Sequence, residues 1–541
     1  MKNIRNLLLV LMFIVILAIF TACGGGNVEP ETAGGENNDN GNESQEPVEG
    51  GDLVVATPAS APSLDWAGQG VTETKLIAWH MFEQLFTYDE NYEIKPMLAE
   101  EYEEEDDGLT YILHLREDVK FHDGSTMKSE DVLASMEHWK EVAPVGDKTF
   151  EQIDDIELPD ENTLEIHLKD KYTALISDLA NLNHALFIMP KDKAEEAGDS
   201  MIEQDQFVGT GPYKFVDWDI GEQLTVERFD DYVSRNEEDW GGLTGEKTAY
   251  HDEITFKVVS DSQVEMNGVK SGEFDFALDI TPDLYESLEQ DNQVQTIIQE
   301  MQTFLGLVFN HSKPPFEGDD DLKHAVNHAL NKEEILSAAY GSPEFYEMDG
   351  ALFNETQGDL YTDKGTNLYD AYDLEKAKEL VESSDYDGET IKIITTSDYH
   401  DYEKTAQVVQ QQLEEIGIDV EIESYEWGTL FDKRDDPNSW DMFTLTYPWY
   451  YSPVNIPTFY NEDQRSGWAD LSNIFSLQEE WVKTDDPDEE EELLGKFNET
   501  IYDDMIWIQV GNSKGLNLSS PNLQGYEDWD NVRFWNTWIN E

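Results

Sequence analysis

The only cysteine of this sequence, Cys23, follows closely on an uninterrupted apolar run, Leu7–Phe20. Two basic residues, Lys2 and Arg5, precede the run. A basic start, a short apolar stretch and small residues before a cut site are typical of a secretory signal, which we place over residues 1–22. The run is shorter than the roughly 20 apolar residues that span a bilayer comfortably. The exported chain therefore has to fold outside the cytoplasm without an internal disulfide bond.

The residues before the predicted cut, Phe20-Thr21-Ala22-Cys23, resemble the lipobox of bacterial lipoprotein signals. That resemblance implies that Cys23 becomes the mature N-terminus and carries a diacylglyceryl thioether, which anchors the chain to the membrane. The stretch that follows, up to residue 51, is rich in Gly, Asn, Glu, Ser and Pro. It has too few large apolar side chains to bury a core, so residues 23–51 are predicted to be a lipidated, flexible acidic tether.

Acidic side chains outnumber basic ones by 118 to 34, which gives a formal net charge of −84. So large an acidic excess argues against binding to nucleic acid. We interpret the charge as an adaptation of the exposed surface to high salt or to alkaline medium, and the sequence does not decide between the two. The acidic runs lack EF-hand spacing, and neither a metal site nor a cofactor is predicted.

The chain from residue 52 onward is too long for one core and mixes strand and helix patterns throughout. Its clearest unit is a predicted strand, Ile391–Thr395, a helix capped by Asp401 and ended by Gly417, and a second strand, Ile418–Ile422. This order predicts a parallel pair of strands with a right-handed crossover. Open sheets of this kind bind ligands at strand ends and between domains.

Three further local patterns are readable. Residues 164–168 alternate apolar and polar side chains, as do residues 111–115, and both stretches are predicted to be half-buried strands. A helix is predicted to begin after Asp373, and another after Ser129 as its N-cap. His122 lies in a Phe-His-Asp-Gly turn, where we interpret it as a turn residue rather than a metal ligand or general base.

Residues 108–116, 119–124 and 129–132 together resemble the signature of the bacterial peptide/nickel solute-binding family, whose members serve ABC importers. Further segments resemble the family in the expected order: Gly209–Tyr213, Ser271–Asp275, Asn310 with Lys313–Phe316, and Asp373–Val381. The resemblance implies an α/β fold, a two-lobed periplasmic-binding-protein-like type II fold with an additional third subdomain and a hinged interdomain cleft. The implied regions are lobe I (52–89, 208–304 and 505–541), an extra subdomain (90–207) and lobe III (305–504), with hinge crossings near Gly209–Gly211 and Leu305–Asn310.

Aromatic residues crowd one proline-rich segment and are the best candidates for ligand contacts: Trp440, Tyr447, Trp449, Tyr450 and Tyr451. Flat rings supply contact area at little entropic cost, although the same crowding is compatible with a packed loop. In the family, the loop after the first strand also faces the ligand, which adds Ser60 and Trp66. Many peptide-binding relatives carry an Asp that pairs with the peptide's α-amino group, and this chain has Tyr450 near that place.

The resemblance leaves three functions open. The first is a lipid-anchored, monomeric receptor on the outer face of the cytoplasmic membrane that delivers peptides to an ABC permease and its ATPase. The second is a receptor of the same fold for another solute, such as an oligosaccharide or a nickel chelate. The third is a secreted hydrolase, for which residues 511–515 fit a nucleophile elbow. The elbow requires a following helix, and residues 516–521 are predicted to be extended, so no catalytic residue is assigned.

Overall fold

The computed structural model describes residues 46–105, 107–459 and 465–540. The predicted signal, Cys23 and the tether up to residue 45 lie outside these ranges. The strands are β1 (Asp52–Thr57), β2 (Phe86–Tyr88), β3 (Ile94–Pro96), β4 (Ala99–Glu104), β5 (Thr110–Leu115), β6 (Ile153–Asp160), β7 (Thr163–Leu168), β8 (Tyr213–Asp219), β9 (Gln223–Arg228), β10 (Glu253–Val258), β11 (Phe276–Ala277), β12 (Gln295–Phe309), β13 (Tyr346–Glu347), β14 (Ile391–Thr396), β15 (Val420–Tyr425), β16 (Met442–Pro448), β17 (Trp507–Ser519), β18 (Leu523–Gln524) and β19 (Trp538–Ile539).

The helices are interspersed among these strands along the chain. They are α1 (Thr72–Met81), α2 (Ser129–Val142), α3 (Pro144–Gln152), α4 (Leu175–Leu179), α5 (Lys191–Ala197), α6 (Ser262–Ser271), α7 (Tyr285–Leu288), α8 (Asp320–Ala329), α9 (Lys332–Tyr340), α10 (Leu374–Ser383), α11 (His400–Glu415), α12 (Trp427–Arg434), α13 (Ser472–Trp481) and α14 (Pro487–Asp503). Among the helices in the described ranges, none is both long enough and apolar enough to cross a bilayer.

Two long strands, β12 and β17, run antiparallel through the middle of the large sheet. On one side the order continues through β11, β1, β10, β9 and β8, and on the other through β16, β14 and β15. The β12–β17 register shifts between Gln299 and Thr303 and again between Leu305 and Gly306. Such irregularities bend and twist a strand pair locally. A separate antiparallel sheet of order β4-β5-β7-β6 comes from residues 99–168.

The predicted strand–helix–strand unit is present as β14, α11 and β15, and β14 pairs with β15 in parallel. Gly417 follows the helix with a φ of +89°, a conformation that glycine adopts without strain. The expected cap is wrong: Tyr399 is the N-cap and Asp401 lies in the first turn. The second strand also begins later than expected, at Val420, because the chain needs two residues to turn after the glycine.

The half-buried strands are confirmed, since β5 and β7 each alternate partly exposed and buried side chains. The helix capped by Asp373 is also confirmed, with the Asp373 side chain accepting two backbone N–H groups. The expected cap of α2 is wrong. Lys128 is the N-cap, and Ser129 is the first helical residue, whose hydroxyl donates to the Asp160 carbonyl at 2.7 Å. The local sequence pattern does not reveal this acceptor, because Asp160 lies 31 residues further along the chain.

Helix α1 is buried almost along its whole length and carries a fully buried histidine, His80. Its Nδ1 lies 2.9 Å from the Leu76 carbonyl, and its Nε2 accepts the Phe534 N–H at 3.0 Å. Only the neutral ring fits both contacts, and burial lowers the pKa of His80 to about 3. This ring ties α1 to the C-terminal segment.

Candidate functional site

The candidate site centres on residues 447–451, which we call the aromatic segment. Strand β16 ends at Pro448, and its neighbours β14 and β12 hold it in the large sheet. Tyr447, Trp449 and Tyr451 are buried, whereas Tyr450 is partly exposed. The segment therefore leaves the end of a central strand, where open α/β sheets place their ligands.

A ring of polar contacts surrounds the aromatic segment. The Tyr451 hydroxyl donates to Asp530 Oδ1 at 2.5 Å, and Asp530 Oδ2 lies 3.6 Å from Lys75 Nζ. Lys75 Nζ contacts Asn183 Oδ1 at 3.4 Å, and Asn183 Nδ2 donates to the Trp449 carbonyl at 2.9 Å. Lys75 and Asp530 are each only about 7 % exposed. We call this set of contacts the polar ring.

The polar ring joins parts of the chain that are far apart in sequence. Lys75 comes from α1, Asn183 from the loop after α4, and Asp530 from the C-terminal segment. Burial raises the pKa of Tyr451, and the Asp530 carboxylate raises it further, so the hydroxyl stays a proton donor at neutral pH. Buried charges are tolerated when they are paired and hydrogen-bonded, as here.

A chain of aromatic contacts runs from the loop after β1 to the aromatic segment. Trp66 lies 6.2 Å from Trp79 between ring centroids, and Trp79 lies 5.9 Å from Trp529. Trp529 stacks on Tyr92 at 5.1 Å, and Tyr92 stacks on Tyr451 at 5.8 Å. The structure thus connects Trp66 with the aromatic segment through intermediate rings.

On the other side of the segment, Phe304 of β12 stacks on Tyr447 at 5.1 Å and lies 5.4 Å from Trp449. Together with Trp507 of β17 these rings line a small cavity. The indole N–H groups of Trp449 and Trp507 are buried and have no hydrogen-bond partner among the described residues. The cavity measures only about 10 Å³, which is room for about one water molecule, so these donors suit a bound water rather than a larger ligand.

The remaining predicted contacts lie less centrally. Ser60 is partly exposed in the loop after β1, and its hydroxyl lies 3.3 Å from the Ala61 carbonyl. Trp440 is fully buried at the opposite end of β16, donates to the Arg434 carbonyl at 2.9 Å and stacks on Trp468. The structure therefore brings Tyr447, Trp449, Tyr450 and Tyr451 together, connects Trp66 with them through other rings, and leaves Trp440 apart. A ligand contact by any of these residues remains a prediction.

His122 has the turn role expected of it. Its Nδ1 accepts the Gly209 N–H at 3.1 Å, and its Nε2 lies 3.0 Å from the Gly211 carbonyl. Both ring nitrogens are thus occupied by backbone, and burial lowers the pKa of His122 to about 4. Gly209 is close to α1, since a Cβ there would lie 2.1 Å from the Met81 carbonyl oxygen. This turn therefore holds the Gly209–Gly211 segment against α1.

The elbow-like sequence at residues 511–515 lies within β17, with Ser513 in the strand. The Ser513 hydroxyl lies 2.8 Å from Thr303 Oγ1 on the neighbouring strand. An elbow places its serine on a sharp turn before a helix, so the expectation that this sequence is not an elbow is confirmed. Metal-ligating side chains gather on the surface of the smaller sheet at Glu157, Glu165 and His167, of which Glu157 is exposed. No metal is assigned to them.

Sequence reasoning missed most of the polar ring: Lys75, Asn183 and Asp530. Each is a single polar residue in a stretch without a motif, and their contacts join residues at least 79 positions apart in the chain. The only sequence signal nearby is the aromatic stretch Arg533–Trp538, which follows Asp530 closely.

Comparisons with known proteins agree with this architecture. The profile of the family described as "Bacterial extracellular solute-binding proteins, family 5 Middle" matches residues 93–468. A relative from Sinorhizobium fredii, named "Probable peptide ABC transporter periplasmic-binding protein y4tO", is 28% identical over 474 residues, covering 84% of this chain and 87% of the relative.

Solved structures share the fold. Helicobacter pylori DppA, solved in complex with the peptide STSA, has a TM-score of 0.75 at 24% identity, covering 91% of this chain and 99% of DppA. Staphylococcus aureus NikA, solved with Ni(L-His)2, has a TM-score of 0.72 at 19% identity, covering 90% and 100%. These likenesses confirm the mixed α/β, type II periplasmic-binding-protein fold. Given the extent of the profile match, the chain belongs to family 5 of the bacterial extracellular solute-binding proteins, the extracytoplasmic and non-enzymatic receptors of ABC importers.

Proposed function

We propose that this chain is a lipid-anchored receptor that captures short peptides against the aromatic segment and delivers them to an ABC permease. The observation that carries the proposal is the polar ring. It gathers a buried cation, a buried carboxylate and an amide around the flat rings of residues 447–451. A peptide needs these groups, since it presents two charged ends, amides and side chains of varied shape.

The sequence lacks a carboxylate at the place where many peptide-binding relatives have one, and Asp530 supplies a carboxylate nearby. No carboxylate stands at Tyr450, but the C-terminal segment brings Asp530 to hydrogen-bonding distance of the adjacent Tyr451. We assign to Asp530 the role of partner for the peptide's α-amino group. The ammonium would replace the Tyr451 hydroxyl at Oδ1, while Lys75 remains beside Oδ2. The names of the relatives y4tO and DppA support the peptide assignment by similarity.

Capture would proceed by closure of lobe I (52–89, 208–304 and 505–541) and lobe III (305–504), with the extra subdomain (90–207) attached. The register shifts of β12 against β17 provide a bend where the chain passes from lobe I to lobe III. Gly209–Gly211, packed on α1, would form the second crossing. In this mechanism the polar ring joins residues of all three regions in the ligand-free chain, and the ammonium of a bound peptide takes over the contact between Tyr451 and Asp530.

The anchor and tether would keep the monomeric receptor near its permease on the outer face of the cytoplasmic membrane. Cys23 and the tether up to residue 45 lie outside the described residues, so this part rests on the lipobox. Mass spectrometry of the membrane fraction tests it. We expect a mature N-terminal Cys23 that carries lipid, and a Cys23→Ser variant that carries none. An unmodified N-terminus would contradict the anchor.

An alternative solute, an oligosaccharide or a nickel chelate, is favoured by the density of rings around the aromatic segment. Thermal-shift screening with a peptide library, cello-oligosaccharides and nickel–histidine separates these ligands. A peptide at 100 times its Kd should stabilise the fold by about 2.7 kcal/mol. We expect peptides alone to do so, and to lose the effect in Asp530→Asn. Stabilisation by sugars or nickel–histidine and not by peptides would overturn the peptide assignment.

A further inference from the structure

A second cavity, of about 360 Å³, also has Tyr451 in its lining. We call it the tyrosine pocket. Its walls come from the extra subdomain and β2 on one side and from lobe III on the other. The lining residues are Tyr88, Tyr92, Ile94, Tyr102, Glu104, Tyr111, Thr173, Ala174, Ile176, Ser177, Leu360, Tyr451, Ser452, Trp481, Thr484, Asp485 and Glu490.

The rings that line the tyrosine pocket pack on one another, and Tyr102 among them is exposed. Tyr88 and Tyr451 lie 4.9 Å apart between centroids, and Tyr92 stacks on Tyr451. Tyr102 and Tyr111 stack at 6.4 Å with an interplanar angle of 25°. Tyr102 stays 44 % exposed although it carries a large ring. Negative ring faces that line a cavity attract cations.

The charged side chains that line the tyrosine pocket are all acidic. Glu104, Asp485 and Glu490 line it, and its described lining includes neither lysine nor arginine. Lys171 Nζ lies 3.0 Å from Asp485 Oδ2, but Lys171 is not one of the residues that line the pocket. Burial and the neighbouring acidic groups raise the pKa of Glu490, so this carboxylate gains from a nearby cation.

Two buried hydroxyls in the pocket have no partner among the described residues. Tyr88 is 2 % exposed and Ser452 is 3 % exposed, and the Tyr88 hydroxyl and Ser452 Oγ each lack a hydrogen bond. Leaving such groups unpaired is costly unless a ligand or water satisfies them. Both lie next to the aromatic segment in the pocket lining. These two hydroxyls indicate a binding site, and this evidence is independent of the acidic residues in the lining.

We propose that the tyrosine pocket binds the cationic side chain of a captured peptide, a lysine or arginine whose aliphatic stem lies along the tyrosine rings. This inference rests on the proposed function, because the pocket shares Tyr451 with the candidate site. The ammonium or guanidinium group is held by the ring faces and by Glu104, Asp485 and Glu490. The receptor therefore selects basic peptides over neutral peptides of the same shape.

Calorimetric titration of matched peptides tests this selectivity. The probes are Ala-Lys-Ala-Ala and the same peptide with norleucine, which keeps the stem and removes the charge. We expect the lysine peptide to bind at least about 10-fold more tightly, which corresponds to ~1.4 kcal/mol. In Glu490→Gln this ratio should fall below about 3-fold. Glu492→Gln, which makes the same charge change at an exposed position of the same helix, should keep it.

A separate substitution tests the contribution of the tyrosine rings. Tyr102→Leu removes a half-exposed ring and should weaken binding of the lysine peptide more than binding of the norleucine peptide. Equal affinities of the two peptides for the wild-type chain would overturn the pocket assignment and leave the peptide function standing. Equal losses for both peptides in Glu490→Gln would also overturn it. Binding of cello-oligosaccharides with no binding of either peptide would instead overturn the proposed function.

Discussion

The buried pair of Lys75 and Asp530 gives the sharpest quantitative prediction. The two charged groups lie 3.6 Å apart, and each is about 7 % exposed. At an effective dielectric constant of about 20, two unit charges at this distance attract by about 5 kcal/mol. Removing one partner leaves the other charge buried and unpaired, which costs about 3–5 kcal/mol. We therefore expect Lys75→Met and Asp530→Asn each to destabilise the fold by that amount.

A double-mutant cycle measures the pair itself. Urea unfolding, followed by tryptophan fluorescence, gives the free energies of the wild type, both single variants and the double variant. Because each single variant strands a charge that the double variant removes, we expect a coupling energy of at least about 2 kcal/mol. The exposed pair Lys191–Glu130, with nitrogen and oxygen 3.2 Å apart, is the matched control and should couple by less than about 1 kcal/mol. Equal coupling in the two cycles would refute the reasoning.

Three further predictions follow from buried contacts. Because the pKa of His80 is lowered to about 3, the unfolded chain binds a proton below pH 6.5 that the fold does not. The wild type should lose about 2 kcal/mol of stability more than His80→Gln between pH 7 and pH 5; an equal loss in urea titrations would contradict this. Tyr451→Phe removes the hydrogen bond to Asp530, so small-angle scattering should show a larger radius of gyration for the ligand-free chain. An unchanged radius of gyration would show that this hydrogen bond does not hold the lobes together. Gly209→Ala should cost about 2–3 kcal/mol, because its Cβ would lie 2.1 Å from a carbonyl oxygen of α1, whereas Gly428→Ala, without such a clash, should be nearly neutral.

Local features of the fold were predictable because nearest neighbours in sequence determine them. The alternation of β5 and β7, the capped start of α10 and the parallel pairing of β14 with β15 follow from side-chain period and turn residues. The caps at Ser129 and Asp401 failed for a local reason as well. The N-caps of both helices lie one or two residues before the predicted caps, and helix ends are the least certain part of a local pattern; at Ser129, the distant Asp160 carbonyl accepts the hydroxyl.

The candidate site was predictable only in its aromatic half. Rings that crowd residues 447–451 are visible as composition, but Lys75, Asn183 and Asp530 are single polar residues whose meaning comes from tertiary contacts. The carboxylate expected near Tyr450 shows what a sequence comparison cannot predict. A position-by-position reading finds tyrosine there, whereas the fold supplies Asp530 from a segment 80 residues later.

Hydrogen exchange with and without a saturating peptide tests the central claim most directly. If peptides are captured between the aromatic segment and the C-terminal segment, peptide addition should slow exchange at residues 447–452 and 526–533 and in α1. The exposed face of the smaller sheet, at β6 and β7, should exchange at an unchanged rate. Slowed exchange confined to other surfaces, or no change at saturation, would contradict the account.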